Sequence, residues 1–501
     1  MKYKKFLEKA SEEGVALTFD DVRLKTGYAE VMPDDISLVS KFSRNVGLKI
    51  PIVSAAMDTV TEFKTAIELA KLGGIGVIHK NLSIEEQAFQ VAKVKLHLNG
   101  LIKKPICVFE DDSIETILQR IKEKGYSFSS FPVINRDEKL VGILTGNDFE
   151  FCNDVSLFAR DLMSTDLLIA NKNINFDEAY NLMRKNKKKV LPLINEEKKV
   201  VGMYVFSDLK RIKIGSAKTY NVDKNNQLRV AAAVGTGEEA LKRTEKLVER
   251  NVDVIVIDTA HGDSKPVFET LRELKILHPS LDIVVGNVSV GESAKRLAEA
   301  GADGIKVGQG PGSICTTRII AGIGRPQVSA VYECAKALNE FDIPICADGG
   351  LKNSGDVTIA IAAGAHSVML GSMLSGIDES PGEVVFVEGR QWKNYRGMGS
   401  LGALEYKGSR DRYLQKENSK KKFIPEGVEG LTPYKGKLRD VLFQCVGGLR
   451  RGMGYVGAAS IEELREKGDF DKITSAGFSE SHPHDVLVTK DAPNYKRRFL
   501  S

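Results

Sequence analysis

The chain has 501 residues, more than one hydrophobic core ordinarily supports, so two or more domains are expected. With 42% hydrophobic and 28% charged residues and a formal net charge of +5, it has a globular composition and no dedicated nucleic-acid surface. Its longest apolar runs, such as VDVIVID and LDIVVGNVSV, are too short to span a bilayer, and the N-terminal MKYKKFLEKASEEG lacks the apolar core of a secretory signal, so a cytoplasmic location is expected.

In chain order, short β-branched runs ending in Gly, Asp, Asn or Ser occur at PIVSAAM, GIGVIHK, LRVAAAVG, VDVIVID, LDIVVGN, DGIKVG, IPICAD and HSVMLGS. Helical patterns such as GEEALKRTEKLVERN and SAVYECAKALNEFD separate most of them. Strand and helix alternating in steps of roughly 22 to 30 residues predict a parallel sheet, and eight such units match an α/β (β/α)8 TIM barrel. Fully apolar strands fit, because both faces of such a sheet are covered.

The spacing breaks once, between GIGVIHK and LRVAAAVG, by about 120 residues more than a crossover needs. The gap holds a repeat: FPVINRDEKLVGILTGNDF at 131–149 aligns without a break on LPLINEEKKVVGMYVFSDL at 191–209. Two copies of a unit that cannot bury its face alone predict a pseudo-symmetric inserted α+β domain. The expected layout is barrel over 1–96, the inserted pair over 97–215 (about 97–155 and 156–215), and barrel again over 216–501. The polar stretch from about 379 to 440, including GSRDRYLQKENSKKKF, shows nothing that reads as core and is expected to be a mobile functional loop.

Six cysteines without a CxxC pair read as free thiols in a reducing compartment. For His482 and His484 in SHPHD, a polar C-terminal loop is the better reading than zinc. Reactive groups of a barrel gather at the C-terminal ends of its strands. Here those ends carry Asp258 and Thr259, then Gly286 and Asn287, then the loop GQGPGSICTTR, then Asp348, Gly349 and Gly350, and finally Gly371 and Ser372. The last two groups occupy the usual phosphate position of the fold, where small residues let backbone N–H groups reach an anion. Cys315 lies on a loop whose glycines leave it little other side-chain bulk, and a thiolate there is a capable carbon nucleophile. The other five cysteines sit in patterned segments that suit inert, buried thiols.

LTFDDV at 17–22, PIVSAAMDTVTE at 51–62, GPGSICTTR at 310–318, ADGG at 347–350, YRGMGS at 395–400 and the C-terminal SHPHD together make the chain resemble the inosine 5′-monophosphate (IMP) dehydrogenases along nearly its whole length. The resemblance implies oxidation of IMP to xanthosine 5′-monophosphate with NAD⁺, in guanine nucleotide synthesis. It makes the inserted repeat similar to paired cystathionine-β-synthase (CBS) modules that bind regulatory purine nucleotides. Cys315 becomes the nucleophile at purine C2, with Thr317, Arg412 and Tyr413 serving hydrolysis of the adduct. Cofactor contacts fall to Asp258, Thr259, Asn287, Gly308, Gln309 and Gly310. Substrate contacts fall to Ser313, Asp348, Gly349, Gly350, Gly371, Ser372, Tyr395, Arg396, Gly397, Met398, Gly399 and Glu426. A potassium ion would be held by main-chain carbonyls of Gly310, Gly312 and Cys315, joined by Glu480, Ser481 and His482 from a neighbouring subunit of a homotetramer or octamer. Gln309 departs from the apolar residue common in bacterial relatives.

Two other functions compete with this one. A guanosine monophosphate (GMP) reductase would share barrel and cysteine loop, but is expected to be shorter and to lack both the inserted pair and the Arg-Tyr flap. A catalytically silent nucleotide-sensing scaffold would be expected to lose Cys315, Thr317 or the Arg412–Tyr413 pair, and all are present.

Overall fold

The structure, a computed structural model, describes residues 4–98, 101–102, 105–124, 130–150, 152–213, 216–413, 423–490 and 492–495. It divides into two compact units, one of Met1–Lys95, Thr219–Asn221 and Leu228–Ser501, the other of Leu96–Lys218 and Val222–Gln227. Within Thr219–Asn221 of the larger unit, the Asn221 backbone N–H donates to the Ala70 carbonyl and its side-chain amide to that of Gly74.

The larger unit is a closed parallel barrel of eight strands that neighbour one another in chain order. They are β1 (Ile52–Ser54), β2 (Ile75–Ile78), β3 (Val230–Val234), β4 (Val254–Asp258), β5 (Asp282–Val288), β6 (Gly304–Val307), β7 (Ile345–Asp348) and β8 (Ser367–Leu370). These are the eight apolar runs read from the sequence. Alternate residues point inward, so Ile75 and Val77, Ala231 and Ala233, and Val254 and Val256 form one buried cluster with Val284, Cys346 and Met369. Phe42, Val46 and Leu48, from and beside the short antiparallel pair Ser40–Lys41 and Gly47–Leu48, join that cluster. They sit at the N-terminal mouth, where Ser43 and Asn45 bond the Asp282 carboxylate at the start of β5.

The smaller unit carries the repeat at the level of single hydrogen bonds. Phe131–Ile134 pairs with Leu140–Leu144, and Val190–Ile194 with Val200–Val205, each antiparallel and each with one register irregularity before its isoleucine. Asn135 Oδ1 accepts from the backbone of Asp137 and Lys139, and Asn195 Oδ1 accepts from that of Glu197 and Lys199. Glu138 and Lys198, one at each turn, hold φ of 61° and 62°. The two turns meet: the Leu140 N–H donates to the Lys198 carbonyl, and Lys139 bridges Lys199.

The stretch 379–440 departs from expectation. It holds a three-stranded antiparallel sheet of Val384–Val387, Arg390–Arg396 and Glu429–Pro433, and the short helices Leu401–Leu404 and Lys407–Arg412, while 414–422 lie outside the described residues. The reason is period, not polarity: along Arg390–Arg396 burial alternates, and Lys393 and Tyr395 point inward. Lys393 is buried because its ammonium donates to the carbonyls of Ile377 and Ser380.

At Gly76 of β2 a Cβ would come within 2.6 Å of Ala66 Cα on the helix Phe63–Lys71. Overpacking of this kind costs about 1–3 kcal/mol, so Gly76→Ala is expected to lower the melting temperature of the barrel, read by circular dichroism, while Gly237→Ala, which meets nothing within 4 Å, tests the cost of its φ of +76° alone.

Candidate active site

The C-terminal strand ends converge on one cleft, lined among others by Asp258, Asn287, Lys306, Gln309, Cys315, Thr317, Asp348, Tyr395, Met398, Arg412, Tyr413 and Glu426. Cys315 is held by its own loop: its N–H donates to the Gly312 carbonyl at 3.1 Å, and it bridges Gly427 across the cleft. Its thiol donates to Thr317 Oγ1 at 3.1 Å. Burial pushes the thiols of Cys334, Cys346 and Cys445 up to about 12. Those three lie outside the cleft lining, to which Cys315 belongs.

Lys306 is a site residue that the sequence reading missed. Only 2% exposed, its ammonium lies 2.9 Å from Asp258 and 2.6 Å from Asp348, and also donates to Asn287 Oδ1. Asn287 in turn donates to the Gly308 carbonyl at 2.6 Å and to Asp348 at 2.9 Å. The four strand ends β4 to β7 are therefore pinned to one buried cation. Its signal was available: a lysine inside the apolar run DGIKVG of a sheet covered on both faces requires a charged partner.

The expected phosphate residues are only partly drawn together. The Tyr395 hydroxyl bonds the Ser313 side chain and lies where a Cβ on Gly371 would be 3.2 Å away. Burial pushes that phenol up to about 12, which keeps it a donor. Gly349 and Gly350, with φ of 88° and 82°, pack against Pro311. Ser372 presents its carbonyl to the Lys435 ammonium. Gly397 bonds Val428 through its backbone, Glu426 N–H donates to the Gly399 carbonyl, and Thr316 N–H to the Glu426 carbonyl, so the segments around Met398 and Glu426 form a continuous wall with the cysteine loop.

Arg412 and Tyr413 reach the same cleft. Arg412 pairs with the Asp258 carboxylate, its carbonyl accepts from Ala260 N–H at 3.1 Å, and burial pulls its guanidinium below the ordinary arginine range. The Tyr413 ring lies over Gly399, where a Cβ would come within 2.6 Å, and burial raises its phenol. Beneath them, Lys80 donates to the Asp258 carbonyl at 3.2 Å; burial, and then the charge on Arg412, push its ammonium down to about 7.

Other expected residues are engaged by the surrounding frame. Thr259 is buried and commits its hydroxyl to the Gly286 carbonyl at 3.0 Å. Arg396 turns its guanidinium to Asp58, 2.7 Å away. Gln309 crosslinks neighbouring loops, donating to the Ala260 carbonyl at 3.0 Å and accepting from Ser289 at 2.6 Å. Glu480 ends the helix Ser475–Glu480, Ser481 bonds back into that helix, and His482 faces the Tyr495 hydroxyl at 3.1 Å.

The residues present suit both implied groups. For a dinucleotide, Asp258, Gln309 and Gly310 share the cleft with Cys315. For potassium, the loop supplies neutral main-chain oxygens, that of Gly312 keeping one lone pair beyond the Cys315 N–H.

Removing Lys306 leaves the partly buried Asp348 without a cation and Asp258 with Arg412 alone; breaking one partner of a buried pair costs about 3–5 kcal/mol. Lys306→Met is therefore expected to lower the unfolding temperature by several degrees, read calorimetrically; an unchanged value would mean the pair is not held by this ammonium.

A model of the IMP dehydrogenase / GMP reductase domain matches residues 16–484. An inosine-5′-monophosphate dehydrogenase of Aquifex aeolicus is 51% identical over 493 residues, 98% of this chain and 99% of that protein. One from Bacillus subtilis is 48% identical over 490 residues, 97% and 99% of the two chains. Among solved structures, a GMP reductase variant from Trypanosoma brucei in complex with guanosine 5′-monophosphate superposes with a TM-score of 0.87 at 37% identity, covering 96% of this chain and 100% of that one. Coverage that high includes the inserted segment, so the expectation that a reductase lacks the insertion is corrected: its presence does not separate the two activities.

Proposed function

This chain belongs to the IMP dehydrogenase / GMP reductase family, and from that premise we propose that it oxidises IMP to xanthosine 5′-monophosphate with NAD⁺. The observation that carries the reading is Cys315, its thiol 3.1 Å from the Thr317 hydroxyl, in one cleft with Asp258, Arg412 and Tyr413.

The Cys315 thiol passes its proton to solvent and its sulfur adds to purine C2, the C2=N3 π pair moving to N3; that pair then re-forms C2=N3 as the C2–H electron pair leaves as hydride. NAD⁺ supplies the hydride acceptor. Asp348, Met398 and Glu426 orient ribose and base, while Ser313, Tyr395 and the glycines after β7 and β8 hold the phosphate. Water then breaks the C–S bond and returns the thiol. Arg412, Tyr413 and Thr317 act on that water, the Thr317 hydroxyl lying 3.1 Å from the sulfur.

Asp258 divides the two halves in time. The same carboxylate is assigned to the cofactor and is paired with Arg412 here, and it cannot serve both at once. Potassium on the Gly310, Gly312 and Cys315 carbonyls would order the cysteine loop. Completing its shell from Glu480, Ser481 and His482 of another copy is the basis for proposing a tetramer. Paired CBS modules binding purine nucleotides are the proposed role of the smaller unit, supported by its two-fold hairpin repeat. A cytoplasmic location is supported by six free cysteines.

Incubation with IMP, NAD⁺ and potassium is expected to give reduced cofactor, and Cys315→Ala none; formation of IMP from GMP and NADPH, with no reaction of IMP, would instead assign the reductase activity. Arg412→Ala is expected to leave the first burst of reduced cofactor in place and slow the following steady rate about a hundredfold or more; equal slowing of both phases would remove Arg412 from the hydrolytic half.

A further inference from the structure

The helix Lys407–Arg412 that carries Arg412 is gripped by residues that none of the catalytic assignments use. Ser409 is fully buried, and its hydroxyl bonds the Asn81 side chain in both directions, at 2.9 and 3.1 Å. Asn81, 6% exposed at the turn after β2, also donates to Asp58 Oδ2 at 2.9 Å. Asp58, in the turn after β1, holds the Arg396 guanidinium at 2.7 Å, and the same guanidinium lies over the Tyr406 ring at the helix start, 5.3 Å from its centre. Gly408 lies where a Cβ would come within 2.6 Å of the Lys80 carbonyl and 2.8 Å of Asn81 Oδ1, so only a glycine lets the helix sit this close.

We propose that Asp58, Asn81 and Ser409 form a latch that docks the Arg412 helix, with Asn81 and Ser409 as positioning residues for the hydrolytic half of the reaction. The geometry gives the latch a reason. Arg412 pairs with Asp258 at the last turn of a helix only six residues long, too short to be stable alone, so its place must be set by tertiary contacts. Asn81 provides one that is polar, buried and reciprocal, three residues before Arg412. Breaking it leaves a buried amide or hydroxyl unpartnered, which favours the undocked helix by roughly five- to a hundredfold. Because Asp58 bonds both Asn81 and Arg396, on the strand leading to Met398, the latch also joins the base-binding wall to the flap.

The kinetic part of this inference rests on the proposed dehydrogenase activity; the structural part does not. Hydrogen exchange of the backbone amides in Lys407–Arg412 tests the latch directly in the free, full-length chain. Asn81→Ala and Ser409→Ala are each expected to speed that exchange roughly tenfold, and the double variant to do no more than either alone. Unchanged exchange, or effects that simply add, would overturn the latch whatever the enzyme catalyses. In single-turnover and steady-state assays with IMP and NAD⁺, both variants are expected to keep the burst of reduced cofactor, slow the steady rate roughly tenfold, and show stronger inhibition by high NAD⁺, since an undocked helix leaves Asp258 to the cofactor. Burst and steady rate falling together would show a merely structural role. If the unaltered protein forms no reduced cofactor, the activity assignment fails and the exchange measurement still decides the latch.

Discussion

The mouth of the barrel depends on one buried ammonium. Lys306 sits between Asp258 and Asp348 and against Asn287, so the ends of β4, β5, β6 and β7 share a single cation at 2% exposure. Without it, Asp348 would lose its cation and Asp258 would be left to Arg412 alone, with an acid nearby and little water to screen it. With it, both acids stay in fixed positions at the edge of the cleft. The cysteine loop begins directly after β6, so the backbone that aims Cys315 is anchored by the same residue.

The barrel was legible because its strands are buried on both faces and read as apolar runs, and because eight of them at one spacing have few other solutions. The repeat was legible from the alignment at 131 and 191, down to the asparagine that closes each turn. Cys315 stands out by the blandness of the other cysteine surroundings; Cys334, Cys346 and Cys445 are buried as expected, whereas Cys107 and Cys152 are only half-buried. What escaped were residues whose meaning is a partner distant in sequence. Lys306 pairs with an acid 48 positions earlier and one 42 later, and Asn81 with a serine 328 later. Motif spacing reports local geometry; it carries no information on which loop a side chain meets across a barrel mouth. The sheet around Arg390–Arg396 escaped for another reason, since its alternation is written in charged and aromatic residues, including a buried lysine capped by carbonyls.

Burial alone also does not mark a functional group. Thr259 spends its hydroxyl on a strand carbonyl, and Arg396 its guanidinium on Asp58. In both cases the side chain is satisfied by the frame, and a satisfied group has little left to offer a ligand. Gln309 is intermediate, lining the cleft while bonding Ala260 and Ser289. Its amide therefore fixes the distance between loops as much as it meets a ligand.

The cleft has to hold two chemistries that conflict. Hydride transfer needs a flat acceptor beside the purine and no water; hydrolysis needs water at the same carbon and no acceptor. A rigid site optimised for either would fail at the other. In the proposed mechanism the conflict is resolved by placing Arg412, assigned to hydrolysis, on a short helix that cannot hold its own shape, Lys407–Arg412, and letting a rigid frame decide when it is docked. The same proposal has Asp258 make the two states exclusive, because the carboxylate assigned to the cofactor is the one that pairs with Arg412. The docking contacts must then be strong enough to position Arg412 and weak enough to release it once per turnover. Two neutral hydrogen bonds between Asn81 and Ser409 meet that condition, each adding only about 1 kcal/mol beside the Arg412–Asp258 pair.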